Sequence, residues 1–180
     1  LMPNWCNNQI VIQGPTDKVE AIWSIANDES DNGLLTALHP IGKWDYDLAC
    51  EQWGTKWDVS MVDANLELIV QDSERSMIEG YFDSAWSPPL AAIENYLANN
   101  DDVEIHCKYY EPANDYIGSN YYGEFSISDQ PRSFWETDEA GRELDETFYV
   151  LEMLDEFRED IEDEELDNDE LVDPEKVPYE

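Results

Sequence analysis

An extreme negative charge is the feature of this sequence that most constrains its fold. The chain has 180 residues, with 44 Asp and Glu against 9 Lys and Arg, and its formal net charge is −35 at pH 7. A small domain needs a net charge of only about 2 to 8 in magnitude for solubility, and a larger excess destabilises the compact state by self-repulsion. A cationic partner, bound cations or a very salty environment would each offset that repulsion.

The charge is concentrated toward the C-terminus. Residues 136–180 contain 21 acidic and 3 basic residues, a net charge of −18, whereas the first 135 residues carry −17. The chain is nevertheless too apolar for a disordered protein, because 42% of its residues are hydrophobic and it has seven Trp and ten Tyr. We therefore expect one folded domain at 2–130, followed by an acidic helix and tail at 131–180.

Hydrophobic periodicity predicts the elements of the folded domain. Alternating apolar residues predict strands at 5–13, 59–62, 65–71, 78–86, 103–108 and 121–127. Helices are predicted after Gly14-Pro15 and after Ser87-Pro88-Pro89, because proline suits the first turn of a helix. Residues 34–57 form an irregular, Trp-rich insert with one short helix at 47–53. This order predicts an α+β fold with a ferredoxin-like antiparallel sheet and helices on one face.

A second periodic pattern predicts an amphipathic acidic helix near the C-terminus. Its apolar residues recur three and four positions apart, at Leu144, Phe148, Leu151, Leu154, Phe157 and Ile161. Acidic residues lie mostly on the opposite arc. We expect the apolar face to dock on the sheet, so that the acidic side chains are held rigidly toward solvent. The chain beyond Ile161 is expected to be flexible.

Three ordered motifs resemble a known family. They are Met2-Pro3-Asn4-Trp5-Cys6-Asn7-Asn8 (the N-terminal motif), Trp53-Gly54-Thr55-Lys56-Trp57-Asp58 (the central motif) and Phe82-Asp83-Ser84-Ala85-Trp86-Ser87-Pro88-Pro89 (the third motif). On these motifs, residues 2–127 resemble the YubB-like ferredoxin-like proteins of bacteriophages and conjugative plasmids. The resemblance implies a ferredoxin-like fold and an origin in a mobile element, and it supplies no catalytic residues. The acidic extension beyond 136 departs from the common domain.

The tryptophans of these motifs have two interpretations. In the first, four rings pack as one aromatic cluster beneath the sheet: Trp5, Trp53, Trp57 and Trp86. In the second, the rings line a ligand pocket whose polar rim consists of Asn4, Asn7 and Lys56.

Residue spacing argues against a metal site or a catalytic centre. The stretch from Asp28 to Gly33 begins like a calcium loop, but its twelfth position is His39 where a bidentate Glu is needed. His39, His106 and Cys107 do not complete a zinc set of four. The sequence also has no Gly-x-Ser-x-Gly nucleophile motif and no phosphate-binding glycine loop. We therefore expect no enzymatic activity, no metal site and no cofactor.

Cysteine usage and hydropathy bear on location. The odd number and wide spacing of Cys6, Cys50 and Cys107 predict reduced, buried thiols and no disulfide framework. The sequence has no apolar run of membrane-spanning length and no signal-peptide pattern at its start. A location in the host-cell cytoplasm is therefore expected.

The charge pattern favours a protein that occupies a cationic, nucleic-acid-binding surface. DNA carries one phosphate per about 3.4 Å along each strand, and residues 136–180, if helical, would carry one charge per about 3.8 Å. We predict an anti-defence DNA mimic that inhibits a restriction or CRISPR complex and binds neither nucleic acid nor membranes. The predicted partner-binding residues are acidic: Glu152, Asp155, Glu156, Glu159, Asp160, Glu162, Asp163, Glu164 and Glu165.

Two alternatives stay open. The chain could be an interaction module whose amphipathic C-terminal helix docks in a partner's groove without mimicry, or a halophile-adapted accessory protein. Salt separates them, because a mimic loses affinity steeply as salt rises, an apolar-groove binder does not, and a halophilic protein needs strong brine to fold.

Overall fold

The computed structural model of the protein describes residues 3–30 and 32–170, with side chains described as far as Asp163. The chain divides into two compact units, Leu1–Gln130 and Pro131–Glu180. The first has 23 acidic and 5 basic residues, and the second has 21 and 4. Their net charges of −18 and −17 are therefore almost equal, although the second unit is less than half as long.

The first unit is α+β, with a six-stranded antiparallel sheet. Its strands are β1 (Trp5–Pro15), β2 (Asn65–Val70), β3 (Arg75–Ala85), β4 (Glu104–Glu111), β5 (Tyr116–Ser119) and β6 (Gly123–Ser126). They lie in the order β2-β3-β1-β4-β5-β6, and every neighbouring pair is antiparallel. The predicted α+β class and antiparallel sheet are thus confirmed.

In the described part of this unit, four α-helices accompany the sheet, α1 (Thr16–Ala26), α2 (Leu34–Leu38), α3 (Tyr46–Trp53) and α4 (Leu90–Leu97), and a 3-10 helix at Pro112–Asn114 joins β4 to β5. Alternate residues of the strands, such as Ile10, Ile78 and Ile105, are buried and belong to one core with the apolar faces of these helices. The period of two in the strands and of three to four in the helices therefore reflects one shared hydrophobic core.

The Trp-rich insert is more regular than the sequence suggests, since it contains two helices. Asp45 caps α3 by accepting a hydrogen bond from the Leu48 N–H at 3.0 Å, and Gly54 ends the helix at φ 83°. Asp58 organises the start of α2 from outside it. Its carboxylate accepts the backbone N–H groups of Gly33, Leu35, Thr36 and Val59 at 2.7–3.2 Å, and the Thr36 hydroxyl at 2.5 Å.

One predicted strand is wrong and another is shorter than predicted. Residues 59–62 do not form a strand, because the chain turns there: the Asp63 and Ala64 N–H groups both donate to the Ser60 carbonyl. The strand predicted at 121–127 is confirmed over Gly123–Ser126 (β6) but is shorter than expected, because Tyr121 and Tyr122 belong to a turn whose N–H groups donate to the Ser119 hydroxyl at 3.1 and 3.0 Å. The pairing partner of β6 is β5, a strand that the sequence did not predict.

The second unit contains three described helices: α5 (Arg132–Thr137), α6 (Glu139–Phe148) and α7 (Val150–Glu170). The single helix predicted from Leu144 onward is wrong, because Tyr149 adopts a left-handed conformation at φ 57° and separates α6 from α7. The segment after Ile161, which was expected to be flexible, is helical as far as Glu170, the last described residue. The rest of the predicted tail, 171–180, lies outside the described residues.

Candidate functional site

The three motifs meet at one end of the sheet in the first unit. The N-terminal motif lies on β1 and the third motif begins on β3, and these strands pair side by side. Across the pair, the Asn7 amide donates to the Asp83 carboxylate at 2.8 Å, and the Asn8 amide donates to the Ser84 hydroxyl at 2.9 Å. The asparagines of the first motif therefore bind the polar side chains of the third.

The central motif joins the same end through two hydrogen bonds. The Thr55 hydroxyl donates to the Ala85 carbonyl at 2.7 Å, and the Ser87 hydroxyl donates to the Gly54 carbonyl at 2.5 Å. Both bonds join side chains to backbone across about 30 residues of sequence. The central and third motifs therefore fix each other in place.

Four tryptophans are exposed around Lys56, and we call them the tryptophan surface: Trp5, Trp44, Trp57 and Trp86. Between 41% and 52% of each residue is exposed. The Lys56 ammonium lies 4.1 Å from the centre of the Trp57 ring and 5.9 Å from that of Trp86. The Trp44 indole N–H donates to the Lys56 carbonyl at 2.8 Å, and the Trp5 and Trp57 ring centres are 6.2 Å apart.

This arrangement corrects the predicted aromatic cluster beneath the sheet. Of its four members only Trp53 is buried, at 3% exposure, and its indole N–H donates to the His39 carbonyl at 2.8 Å. Trp53 belongs to the hydrophobic core, whereas the other three predicted members lie on the surface. Trp44 joins them, although the sequence did not predict it.

Trp86 has a strained backbone. Its φ of 71° lies in the left-handed region, which a large side chain rarely adopts. Two hydrogen bonds hold it there: the Trp86 N–H donates to the Asn4 carbonyl at 2.9 Å, and the Tyr116 hydroxyl donates to the Trp86 carbonyl. Strain that the surroundings fix in this way tends to occur at functional sites and ligand-binding surfaces.

A cavity of about 320 Å³ opens beside the tryptophan surface. Six of its lining residues carry an aromatic ring or a carboxylate: Trp5, Trp57, Asp58, Asp63, Phe82 and Asp83. The polar rim predicted for a tryptophan pocket was different, since Asn4, Asn7 and Lys56 do not line this cavity.

The buried thiols below this end of the sheet are poorly suited to nucleophilic chemistry. Burial raises the pKa of Cys6 to about 12 and also raises the pKa of Cys107. Both cysteines therefore stay protonated at neutral pH, and a thiol is a weak nucleophile. Cys50 is exposed, so the prediction that all three cysteines are buried is wrong for this residue.

The predicted acidic residues lie on α7. Glu152 is exposed, and so is every residue from Glu156 to Asp163. The exposed residues include Phe157 and Ile161, at 63% and 55%. The distal half of α7 thus presents acidic and apolar side chains together, and the side chains of Glu164 and Glu165 lie outside those described.

Two of the acidic residues are engaged within the second unit. The Arg132 guanidinium binds Asp155 at 2.7 and 3.4 Å and Glu136 at 2.8 Å. Hydrogen bonding from Arg132 lowers the pKa of Asp155. Glu162 lies 4.0 Å from Arg158. Among the described side chains of this helix, the exposed carboxylates without an ion pair are therefore those of Glu152, Glu156, Glu159, Asp160 and Asp163.

Comparisons with known proteins give no match: no protein-family model, no curated protein and no solved structure matches the chain. The resemblance drawn from the three motifs therefore stays a prediction. Within 3–30 and 32–170, no group of three His, Cys, Asp or Glu residues is placed to hold a metal ion. No helix in this part of the chain is long and apolar enough to cross a bilayer.

Proposed function

We propose that the protein is an acidic DNA mimic that binds and inhibits a host nucleic-acid-binding defence complex of the restriction or CRISPR type. The observation that carries the proposal is the exposed acidic surface of α7. A phage or plasmid origin rests on the motif resemblance alone.

The charge density of α7 suits this role. Its 21 residues include 12 acidic residues and one basic residue, a net charge of −11. At about 1.5 Å per residue, the helix is about 30 Å long and carries one net charge per about 3 Å. This spacing is close to the interval of about 3.4 Å between phosphates along one DNA strand. A single continuous helix over 136–180 would be about 68 Å long. Because α6 and α7 are separate helices, the acidic surface proposed here is the shorter one of α7.

Carboxylates on such a helix can replace phosphates because both accept charge-assisted hydrogen bonds from Arg and Lys. Each exposed pair contributes little, about 0.2 to 1 kcal/mol. Binding should therefore depend on the set of accessible carboxylates and not on any one of them.

We infer that the first unit is a ferredoxin-like domain that carries this helix. The order β2-β3-β1-β4, with α1 between β1 and β2 and α4 between β3 and β4, supports the inference because it agrees with the split β-α-β pattern. Strands β5 and β6 extend the sheet beyond that pattern.

The first step of the test is to identify the target. A tagged protein should capture a DNA-binding complex from host lysate, and added duplex DNA should compete with the capture. Charge reversal of Glu152, Glu156, Glu159 and Asp160 to Lys should abolish both capture and inhibition. A matched reversal of exposed acids in the first unit (Glu20, Glu51, Glu74 and Glu94 to Lys) should retain most of both. Equal inhibition by the first variant and the parent would refute the proposal.

One observation favours the groove-docking alternative. Phe157 and Ile161 are four residues apart, and both are largely exposed on α7. An apolar pair at this spacing is typical of helices that dock in a groove. Under this alternative, Phe157→Ser with Ile161→Ser abolishes binding, and affinity changes little between about 50 and 500 mM NaCl. Under mimicry the affinity falls steeply over that range.

A further inference from the structure

The cavity beside the tryptophan surface exists because β3 is longer than its outer neighbour. The last residue pair between β2 and β3 joins Asn65 to Tyr81, and β3 then continues to Ala85 with β1 as its partner. The coil and turn segment from Trp57 to Ala64 precedes β2 and forms the other wall. The wall segment is anchored by the hydrogen bonds of Asp58 to α2, so the cavity is built by fixed elements of the first unit.

The lining of the cavity combines aromatic rings with carboxylates. Trp5 and Trp57 present half-exposed indoles inclined by 45°, and the largely buried Phe82 adds an apolar surface. The Asp58 oxygens are occupied by their N–H donors. Asp83 accepts one hydrogen bond from Asn7, and among the described residues no hydrogen bond or ion pair involves the Asp63 carboxylate. Two carboxylates therefore retain accepting capacity beside two indoles.

This combination selects cations. The face of an indole attracts a positive charge through its quadrupole, and carboxylates add a direct attraction. The chain itself uses the effect, because the Lys56 ammonium lies over Trp57. Among the described residues no cation lies over the Trp5 ring, which leaves this ring available to an external one. The net charge of −35 also repels anions.

We propose that this cavity binds the guanidinium group of an arginine side chain on a partner protein. A guanidinium is planar, stacks on indole faces and offers five N–H donors to carboxylates, so it suits Trp5, Asp63 and Asp83 better than a compact ammonium does. The volume is near the lower end of the range for ligand sites, about 300 Å³, and suits a single side chain. Exposed tryptophans around the opening are typical of the anchor residues of protein interfaces.

This site lies in a different unit from α7, and the proposal does not rest on mimicry by that helix. The test uses the full chain labelled with 5-fluorotryptophan, whose ¹⁹F resonances are assigned with single Trp→Phe variants. The probe is N-acetyl-arginine N-methylamide in about 150 mM NaCl. The resonances of Trp5 and Trp57 should shift saturably while that of Trp53 stays unchanged. The neutral isostere N-acetyl-citrulline N-methylamide should bind at least tenfold more weakly.

Substitutions inside and outside the cavity show which residues contribute to binding of the arginine probe. Asp63→Asn with Asp83→Asn should weaken binding of the arginine probe roughly tenfold, and the amide oxygen introduced at position 83 can still accept the Asn7 hydrogen bond. Glu20→Gln with Glu51→Gln removes the same charge elsewhere in the first unit and should change affinity less than twofold. Lys56→Gln should strengthen binding about two- to threefold, because it removes a neighbouring like charge. Retained dispersion of the ¹⁹F spectrum shows that each variant is folded.

Several outcomes would overturn the proposal. Equal affinity for citrulline and arginine would remove the role of charge. If the Asp63/Asp83 and Glu20/Glu51 double variants weakened binding equally, the attraction would come from the overall negative charge of the protein and not from the cavity. Tighter binding of free arginine or of tetramethylammonium would indicate a small-molecule site or an ammonium cage in place of an arginine from a partner.

Discussion

The tryptophan surface and the distal half of α7 are both exposed, but they are held in different ways. Hydrogen bonds between three distant segments fix the first, including those from Asn7, Thr55 and Ser87. In the second, every described side chain from Glu156 to Asp163 is exposed, and helical periodicity alone sets the spacing. The tryptophan surface therefore offers a shape, whereas α7 offers a charge density.

This difference determines how sensitive each surface is to a single substitution. A shape depends on a few buried residues that hold it, so one substitution can remove it. The charge density of α7 is the sum of many exposed carboxylates, each of which contributes little, so substitutions reduce it only gradually. Stability measurements on single variants should therefore separate the two regions clearly.

The largest effect is expected at Trp53. Trp53→Ala removes a buried indole from the core behind the tryptophan surface and should lower the free energy of unfolding by about 3–5 kcal/mol. Phe157→Ala on α7 should change it by less than about 0.5 kcal/mol, because that ring is mostly exposed. Urea unfolding followed by near-ultraviolet circular dichroism measures both. Similar losses from the two variants would contradict the contrast between the regions.

The next effect is expected at Asp58, which holds the wall of the cavity. Asp58→Asn replaces one accepting oxygen by an NH₂ group, which then faces N–H donors at the start of α2 in either orientation of the amide. The expected loss is about 1–3 kcal/mol, the cost of unsatisfied buried groups. Asp63→Asn, five residues away and with no such partners in the described chain, should lie within about 0.5 kcal/mol of the parent. An equal loss of stability from the Asp63 and Asp58 variants would show that the hydrogen bonds from Asp58 to the start of α2 have no special role.

The sequence predicted those parts of the fold that periodicity controls. Strands β1, β3 and β4 alternate apolar and polar residues and were found, whereas β5 is only four residues long, contains Gly118 and gives no such signal. The tryptophans illustrate the same limit. Trp53 and Trp57 were expected in one cluster beneath the sheet, but α3 ends at Trp53 and Trp57 lies beyond the left-handed Gly54. One ring therefore lies in the core and the other on the surface.

The candidate sites show which information only tertiary structure supplies. The acidic residues of α7 could be read from the sequence, but the pairing of Asp155 with Arg132, 23 residues away, could not. The cavity depends on the point where β2 stops pairing with β3. A period-two pattern would have placed Asp83 on the same face as Asn7 if the strand register had been known.

A smaller effect is expected from the backbone strain at Trp86. Because φ is 71° there, a residue without a Cβ atom is favoured. Trp86→Gly should therefore be more stable than Trp86→Ala by about 1 kcal/mol, although both lose the ring. Urea unfolding of the two variants measures the difference. The opposite order would show that the left-handed conformation relaxes once the indole is removed and is not imposed by the hydrogen bonds from Tyr116 and to Asn4.

The smallest effect is expected from the ion pair between Arg132 and Asp155 in the second unit. Hydrogen bonding from Arg132 lowers the pKa of Asp155 in the folded protein below the unfolded value of about 3.9. The pair therefore contributes stability at pH above that value, and the contribution is lost as pH falls through the depressed folded pKa. Asp155→Asn should weaken the second unit slightly at pH 7, and the difference from the parent should disappear as pH falls below the depressed folded pKa of Asp155. Asp163→Asn, for which no described partner exists, removes the same charge and should slightly stabilise the unit at pH 7 by reducing self-repulsion. Amide exchange of α7 across pH measures both variants. Equal exchange rates for the two variants at pH 7 would show that Arg132 does not hold α7 and that the stability of this helix follows net charge alone.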